Sequence, residues 1–172
     1  FIPKKELMRG YVKVGGKTVA DLVVMPVDEL IAFFAGLELD GHDTKTAARI
    51  LVEIRNRLQY LADVGLGYLT LDRSASTLST GERQRMQLAR AVRNRTTGVL
   101  YVLDEPSIGL HPSNIVGLTG VMHDLVADGN SVILVDHDTQ ILKEADWIVE
   151  MGPEAGAKGG HVIAEVATNH IT

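Results

Sequence analysis

The spacing of apolar residues changes along the chain and separates two zones, 1–65 and 66–172. The first zone starts with two short β-type runs, 11–14 and 18–25, on either side of Gly15-Gly16. Short β-type runs around a glycine pair favour a β-hairpin, because glycine readily adopts the positive φ angles of a tight turn. The chain is therefore predicted to begin with a hairpin.

Two helices are predicted in the rest of the first zone. Pro26 fits the start of a short amphipathic helix. The apolar side of that helix carries Leu30, Ile31, Phe33 and Phe34. A longer helix is predicted over about 44–64, because apolar residues recur there at spacings of three and four. These residues are Ile50, Ile54, Leu58 and Leu61. Gly65 follows at the position of a helix C-cap.

The second zone alternates helices and strands. Helices are predicted over about 79–95, 112–127 and 139–144, and strands over 99–103, 131–135, 147–151 and 161–166. The first two strands are continuous apolar runs, as expected for parallel strands covered on both faces. This alternation predicts an α/β fold with a mainly parallel sheet flanked by helices. Such folds place their chemistry at the carboxyl ends of the strands.

Composition limits the class of protein. With 172 residues, 45% hydrophobic, the chain can bury a core of its own. It has no apolar run of the ~18 to 20 residues that cross a bilayer, so we expect a cytoplasmic protein without a membrane partner. A net charge of −5 argues against holding nucleic acid by bulk charge. Zero cysteines exclude disulfides, thiolate zinc sites and cysteine nucleophiles within these residues. Because the first residue is Phe1, we expect a piece of a longer chain.

Two acidic residues follow the strand 99–103. Asp104 is a candidate magnesium ligand, because a rigid strand can hold a carboxylate where the ion needs an oxygen. Glu105 comes next and could accept a proton from an attacking water. The alternative is that Asp104-Glu105-Pro106 is only a polar exit from the strand.

The strand 131–135 ends in Asp136-His137-Asp138. If the two strands are parallel, His137 could reach the same phosphate as the first strand end. Alone, such a histidine is more often a loop residue with ordinary hydrogen bonds. Two strand ends with suitable residues in one α/β unit strengthen the joint interpretation.

The segment 78–82, LSTGE, precedes a predicted helix. Backbone N–H groups and the positive end of the helix dipole make such a helix start suitable for phosphate. Ser79 and Glu82 also fit a capping box, and the two roles are compatible. The helix carries Arg83, Arg85, Arg90 and Arg93. We interpret this arginine cluster as a solvated or subunit-facing side rather than a nucleic-acid patch.

The segment Gly15-Gly16-Lys17-Thr18 looks like the end of a phosphate-binding loop, G-x-x-x-x-G-K-[ST]. Tyr11 stands where that loop has its first glycine. A phosphate loop also follows a buried strand and opens a helix, whereas β-type residues stand on both sides here. The hairpin interpretation is therefore favoured.

Three motifs, LSTGE, VLYVLDEPSIGLHP and SVILVDHD, resemble the second half of an ATP-binding cassette (ABC) ATPase. More narrowly, VGLGYLTLDRSASTLSTGERQRMQLA, GVLYVLDEPSIGLH and ADWIVEMGPEAGAKGG resemble the UvrA family, the damage-recognising ATPases of bacterial nucleotide excision repair. The similarity runs from about 12 to 166, at the end of the family's first nucleotide-binding domain. It implies a partial P-loop NTPase sandwich, with the ABC subdomain in 66–172 and the end of the signature and insertion region in 1–65.

The resemblance also implies roles for individual residues. Asp104 would help to hold Mg²⁺, Glu105 would polarise the hydrolytic water and His137 would contact the γ-phosphate of ATP. The residues that would contact a nucleotide held by an opposing cassette are Ser79, Thr80, Gly81, Glu82, Ser107 and Gly109. The family usually has glycine at the position of Thr80, so the signature backbone is more restricted here.

The implied partners lie largely outside the chain. The family's phosphate loop and cysteine-bearing zinc segment would lie upstream, so zinc is expected only there and the chain alone should hydrolyse little ATP. A second cassette of the same polypeptide, a second copy in a homodimer, DNA and a UvrB-like protein are the expected partners. Three alternatives stay open: a UvrA-like paralogue in drug tolerance, a transporter-type cassette and a non-enzymatic cassette-like interaction module.

Overall fold

A computed structural model describes residues 12–38, 44–94, 96–153 and 159–168. The helices are α1 (Val19–Val23), α2 (Val27–Ala35), α3 (Thr44–Asp63), α4 (Thr80–Asn94), α5 (Pro112–Ala127) and α6 (Thr139–Leu142). The strands are β1 (Lys13–Val14), β2 (Lys17–Thr18), β3 (Leu100–Asp104), β4 (Ser131–Val135), β5 (Trp147–Gly152) and β6 (His161–Ala167). A 3₁₀ turn covers Ala75–Thr77. Within the described ranges, none of the helices has the length and apolar character to cross a membrane.

The amino-terminal hairpin is confirmed, but the strand predicted over 18–25 is wrong. Strands β1 and β2 pair antiparallel, and Gly15 and Gly16 form the turn with φ angles of 55° and 80°. The chain then enters helix α1, because Thr18 and Asp21 form a capping box. The Thr18 amide donates to Asp21 Oδ2 at 2.8 Å, and the Asp21 amide donates to Thr18 Oγ1 at 3.1 Å. These hydrogen bonds outweigh the β propensity of the following valines.

Helices α2 and α3 pack together over a small core of Val27, Leu30 and Leu58. The predicted apolar stripe of α3 is correct from Ile54 onward, whereas Ile50 is 56% exposed. Gly65 has a φ of 74° and ends the helix, as predicted.

The main core lies where α3, α4 and α5 meet one face of the β3/β4 pair. Its most completely buried members are Val64, Leu66, Leu88, Leu118 and Leu125. Leu61 of α3 packs against both this cluster and the smaller one. The two predicted zones are therefore in direct contact.

Strands β3 and β4 pair parallel, in a register from Leu100 opposite Ser131 to Asp104 opposite Val135. Strands β5 and β6 form a separate antiparallel pair, so within the described ranges the predicted parallel sheet consists of β3 and β4 alone. The apolar runs of β3 and β4 predicted cover on both faces, but the described residues cover only one of them. One face packs on the core, and the other leaves four aliphatic residues 52–63% exposed. These residues, which we call the open face, are Leu100, Val102, Ile133 and Val135.

Asn130 fixes the start of both parallel strands. Its Nδ2 donates to the carbonyl oxygens of Thr96 and Leu125 at 2.7 and 2.9 Å. Its Oδ1 accepts from the Val99 amide at 3.1 Å. Because Asn130 is only 6% exposed, these contacts satisfy backbone groups near the core that water reaches poorly.

Candidate nucleotide site

The parallel pairing of β3 and β4 brings two predicted site residues together. The Glu105 amide donates to the Val135 carbonyl at 2.7 Å, which continues the pairing one residue beyond β3. His137 Nδ1 lies 3.7 Å from Glu105 Oε1. The side chains are 75% and 48% exposed, respectively, so both remain accessible to a ligand. The structure thus places a carboxylate and an imidazole side by side at the carboxyl ends of the strands.

Glu105 has an unusual backbone conformation. Its φ of 47° lies in the left-handed region, which costs a residue other than glycine of order 1 kcal/mol or more. The turn that follows is closed by hydrogen bonds from the Ile108 amide to the Glu105 carbonyl at 3.2 Å and from the Leu110 amide to the Ser107 carbonyl at 2.9 Å. This conformation turns the chain out of the strand immediately after Asp104.

Asp104 is the last residue of β3 and its side chain is exposed. Within the described ranges, no group of three or more acidic, histidine or cysteine residues could hold a metal ion. Magnesium often binds through one or two carboxylates, with phosphate oxygens and water as the other ligands. Asp104 therefore fits a magnesium site that a bound nucleotide would complete.

Ser107 and Gly109, the two residues of the turn after β3 that were predicted to contact a nucleotide, differ in their surroundings. Ser107 is only 7% exposed, and its hydroxyl donates to Asp136 Oδ1 at 2.7 Å. Gly109 is exposed, with a φ of 74° and open space around its Cα. Gly109 is therefore free to approach another molecule, whereas Ser107 already has a partner within the chain.

The start of α4 is the capping box that the sequence predicted. The Ser79 amide donates to Glu82 Oε2 at 2.6 Å, and the Glu82 amide donates to Ser79 Oγ at 3.2 Å. Because Ser79 Oγ accepts in this bond, its own hydroxyl proton stays available for a phosphate oxygen. Thr80 Oγ1 accepts from Arg83 Nη2 at 3.1 Å, and Gly81 is partly exposed on the first turn.

Glu82 is buried and bound on both carboxylate oxygens. Tyr68 donates its hydroxyl to Oε1, the Ser79 amide donates to Oε2, and Arg73 Nη1 lies 3.7 Å from Oε1. The Tyr68 hydrogen bond, followed by the one from Ser79, lowers the pKa of Glu82 from 4.5 to about 2. Desolvation and the Glu82 partner raise the pKa of Tyr68. The Glu82 carboxylate thus braces the segment before α4 against the helix start.

We expect Glu82 to make stability depend on pH. A carboxylate with a lowered folded-state pKa stabilises the fold above its unfolded value of 4.5, and this contribution is lost as the pH falls toward 2. Glu82→Gln keeps the side-chain shape but does not titrate. In urea unfolding at a series of pH values, the stability difference between the original chain and Glu82→Gln should therefore shrink below pH 4.5. Tyr68→Phe should reduce this pH dependence, and a difference that stays constant down to pH 2 would contradict the assignment.

The interpretation of the arginine cluster as a solvated side of α4 is wrong for Arg85. It is only 5% exposed, and its Nη1 donates to the Pro106 carbonyl at 3.0 Å. This bond joins α4 directly to the turn after β3. Asp136 has no predicted role, although its place between an apolar strand and His137 is a signal for one.

The parallel strand pair and the helices packed on it form part of an α/β cassette fold of the P-loop NTPase class. The chain is 51% identical over 164 residues to UvrABC system protein A of Thermus thermophilus, covering 94% of this chain and 17% of the relative. It is 50% identical over 161 residues to the protein of the same name in Pseudomonas aeruginosa, with the same coverage. The chain belongs to the UvrA family, and it spans 17% of the length of these curated relatives.

A solved structure supports this assignment. The crystal structure of UvrA2 from Deinococcus radiodurans matches with a TM-score of 0.77 and 38% sequence identity, covering 91% of this chain and 21% of that chain. No protein-family model matches the sequence. The expected partial ABC-type sandwich is confirmed as the fold class.

Proposed function

We propose that this chain supplies the signature helix and the catalytic strand ends of a UvrA-family ATPase. The complete protein binds and hydrolyses ATP and uses the cycle to recognise damaged DNA in excision repair. The observation that carries the proposal is the pairing of Glu105 with His137, 3.7 Å apart at the ends of two parallel strands. The identity to UvrABC system protein A over 94% of the chain supports the same assignment.

The residues at the strand ends have separate roles in ATP hydrolysis. Glu105 orients the attacking water and accepts its proton, a role that needs an accessible carboxylate at a fixed backbone position. His137 donates a hydrogen bond to the terminal phosphate. Asp104, together with the nucleotide, would hold Mg²⁺, and the ion would supply positive charge that neutralises the phosphate oxygens. The φ of 47° at Glu105 holds the carboxylate at the strand exit.

The start of α4 serves a second nucleotide, held by an opposing cassette. The proposed donors to its phosphate groups are the Ser79 hydroxyl proton and the amides of Thr80 and Gly81, because the amides of Glu82 and Arg83 are bound to Ser79. Glu82 contributes by holding Ser79 in place rather than by presenting a free oxygen, since both of its oxygens are bound. Thr80 allows less backbone freedom than glycine at this position.

The chain needs the rest of a cassette to act. Its sequence contains no complete G-x-x-x-x-G-K-[ST] segment, and its open face leaves four aliphatic side chains in solvent. We propose that the remaining part of the cassette covers this face and supplies the phosphate loop. The proposed partners of the complete protein are a second cassette, a second copy, DNA and a UvrB-like protein.

A hybrid protein tests the proposed function. The 164-residue region of the Thermus thermophilus relative that matches this chain is replaced by the corresponding residues of the chain. We expect the hybrid to hydrolyse ATP at a rate within about tenfold of the intact relative and to bind damaged DNA, because the strand ends and the capped helix are retained. The 172-residue chain alone is the control and should show little hydrolysis. A folded hybrid that assembles but does not hydrolyse ATP would overturn the proposal and favour a non-enzymatic interaction module.

A further inference from the structure

Asp136 joins the two turns that carry the candidate catalytic groups. It follows β4 directly, and its side chain is 0% exposed. Asp136 Oδ1 accepts from the Ser107 hydroxyl at 2.7 Å, the His137 amide at 2.7 Å and the Asp138 amide at 3.0 Å. Asp136 Oδ2 accepts from the Ser107 amide at 3.2 Å. One carboxylate thus binds donors from the turn after β3 and from the turn after β4.

These hydrogen bonds keep the buried carboxylate charged. Burial on its own would raise the pKa of Asp136, but the hydrogen bonds from Asp138, Ser107 and His137 hold it below the ordinary value. An ionised carboxylate only accepts hydrogen bonds, which suits four donors. The four hydrogen bonds therefore depend on a carboxylate at position 136. The side-chain amide of an asparagine there would turn its NH₂ group toward one of these donors.

The turn after β3 is held from its other side by α4. Arg85 Nη1 donates to the Pro106 carbonyl, one residue before Ser107. A path of hydrogen bonds thus runs from α4 through Pro106 and Ser107 to Asp136. It ends at the backbone of His137, whose ring lies 3.7 Å from Glu105.

We propose that Asp136 is a positioning residue that fixes His137 beside Glu105 and links its position to the turn at Ser107. The inference rests on the proposed function insofar as His137 and Glu105 act on a nucleotide. Asp136 acts through His137, since its Oδ1 accepts from the His137 amide and also lies 3.8 Å from His137 Nδ1. A displacement of the Ser107 turn moves the Asp136 carboxylate, and the amides bound to that carboxylate move with it.

Nuclear magnetic resonance of the labelled 172-residue chain tests the link without any ATPase activity. Ser107→Ala removes one donor to Asp136 and lies 30 residues from His137. We expect it to shift the amide resonances of His137 and Asp138 and the imidazole resonances of His137. Asp136→Asn should produce larger shifts of the same signals, because it sets an amide group against the Ser107 amide.

Ser131→Ala is the matched control, since it makes the same change at the opposite end of β4. It should leave the His137 ring signals unchanged. If Ser107→Ala lowers stability but leaves those signals in place, Asp136 only stabilises the local turns and the proposal is wrong. Should Asp136→Asn fail to fold, Ser107→Ala alone decides the question.

Kinetics of the hybrid protein give a second readout. We expect Ser107→Ala to lower kcat by about tenfold, because the position of His137 matters most in the transition state, where charge develops on the phosphate. KM for ATP should change less than about twofold. Equal losses in kcat for Ser107→Ala and Ser131→Ala would count against the proposal. If the unsubstituted hybrid is inactive, the proposed function fails, and the resonance shifts still test the role of Asp136 independently.

Discussion

Glu105→Gln should lower the rate of ATP hydrolysis by the hybrid protein by at least about 100-fold, since the amide cannot accept the proton of the attacking water. Binding of ATP should change little, because the substitution keeps the size of the side chain and removes no phosphate donor. The measurement is steady-state phosphate release together with nucleotide affinity by fluorescence titration. The same substitution also removes the negative charge beside His137, 3.7 Å away.

The control for this loss is Glu144→Gln, which makes the same chemical change at an exposed glutamate beside His123. It should leave turnover within about twofold of the unsubstituted hybrid. If Glu105→Gln retained more than a tenth of the activity while ATP still bound, the general base would have to be another group, and the role proposed for Glu105 would fail.

Gly117→Ala should destabilise the chain by about 2 to 3 kcal/mol, because the added carbon has no room. A Cβ at Gly117 of α5 would lie 2.3 Å from the carbonyl oxygen of Asp63, at the end of α3. The obstructing atom belongs to the backbone, so a side-chain rotation cannot relieve the overlap. Urea unfolding monitored by circular dichroism measures the change in the free energy of unfolding.

Gly120 supplies the matched control within the same helix. A Cβ at Gly120 would meet nothing within 4 Å. Gly120→Ala should therefore stabilise the chain by up to about 1 kcal/mol, through the higher helix propensity of alanine. Opposite signs for the two substitutions would locate the effect in the contact between α3 and α5, and equal effects would refute that explanation.

The parts of the fold that sequence analysis predicted well depend on local patterns. Helix α5, Pro112–Ala127, and strand β4, Ser131–Val135, match their predicted bounds. Pro112 marks the helix start, and the apolar run of β4 is short and continuous. The departure from the predicted strand over 18–25 is also local, because the capping box of Thr18 and Asp21 starts a helix within the β-type run.

The features that sequence analysis missed depend on contacts between distant residues. The buried guanidinium of Arg85 donates a hydrogen bond to the carbonyl of Pro106, 21 residues away in the sequence. Asp136 binds Ser107, 29 residues away, through the parallel pairing of β3 and β4. Periodicity along one helix or strand carries no information about such pairings. The prediction of two parallel strands, however, did place Glu105 and His137 at the same edge of the sheet.

The open face also bears on how oligomers of the isolated chain should be interpreted. Within the described ranges, β3 and β4 pair only with each other, so each leaves an outer edge with unpaired amides and carbonyls next to exposed aliphatic side chains. Such edges are templates for strand pairing between molecules. Copies of the isolated chain would first associate here, through a surface that the rest of the cassette is proposed to occupy. A dimer that the chain forms alone through the open face would therefore occupy the surface proposed for the rest of the cassette, and it would not report on the subunit interface of the complete protein.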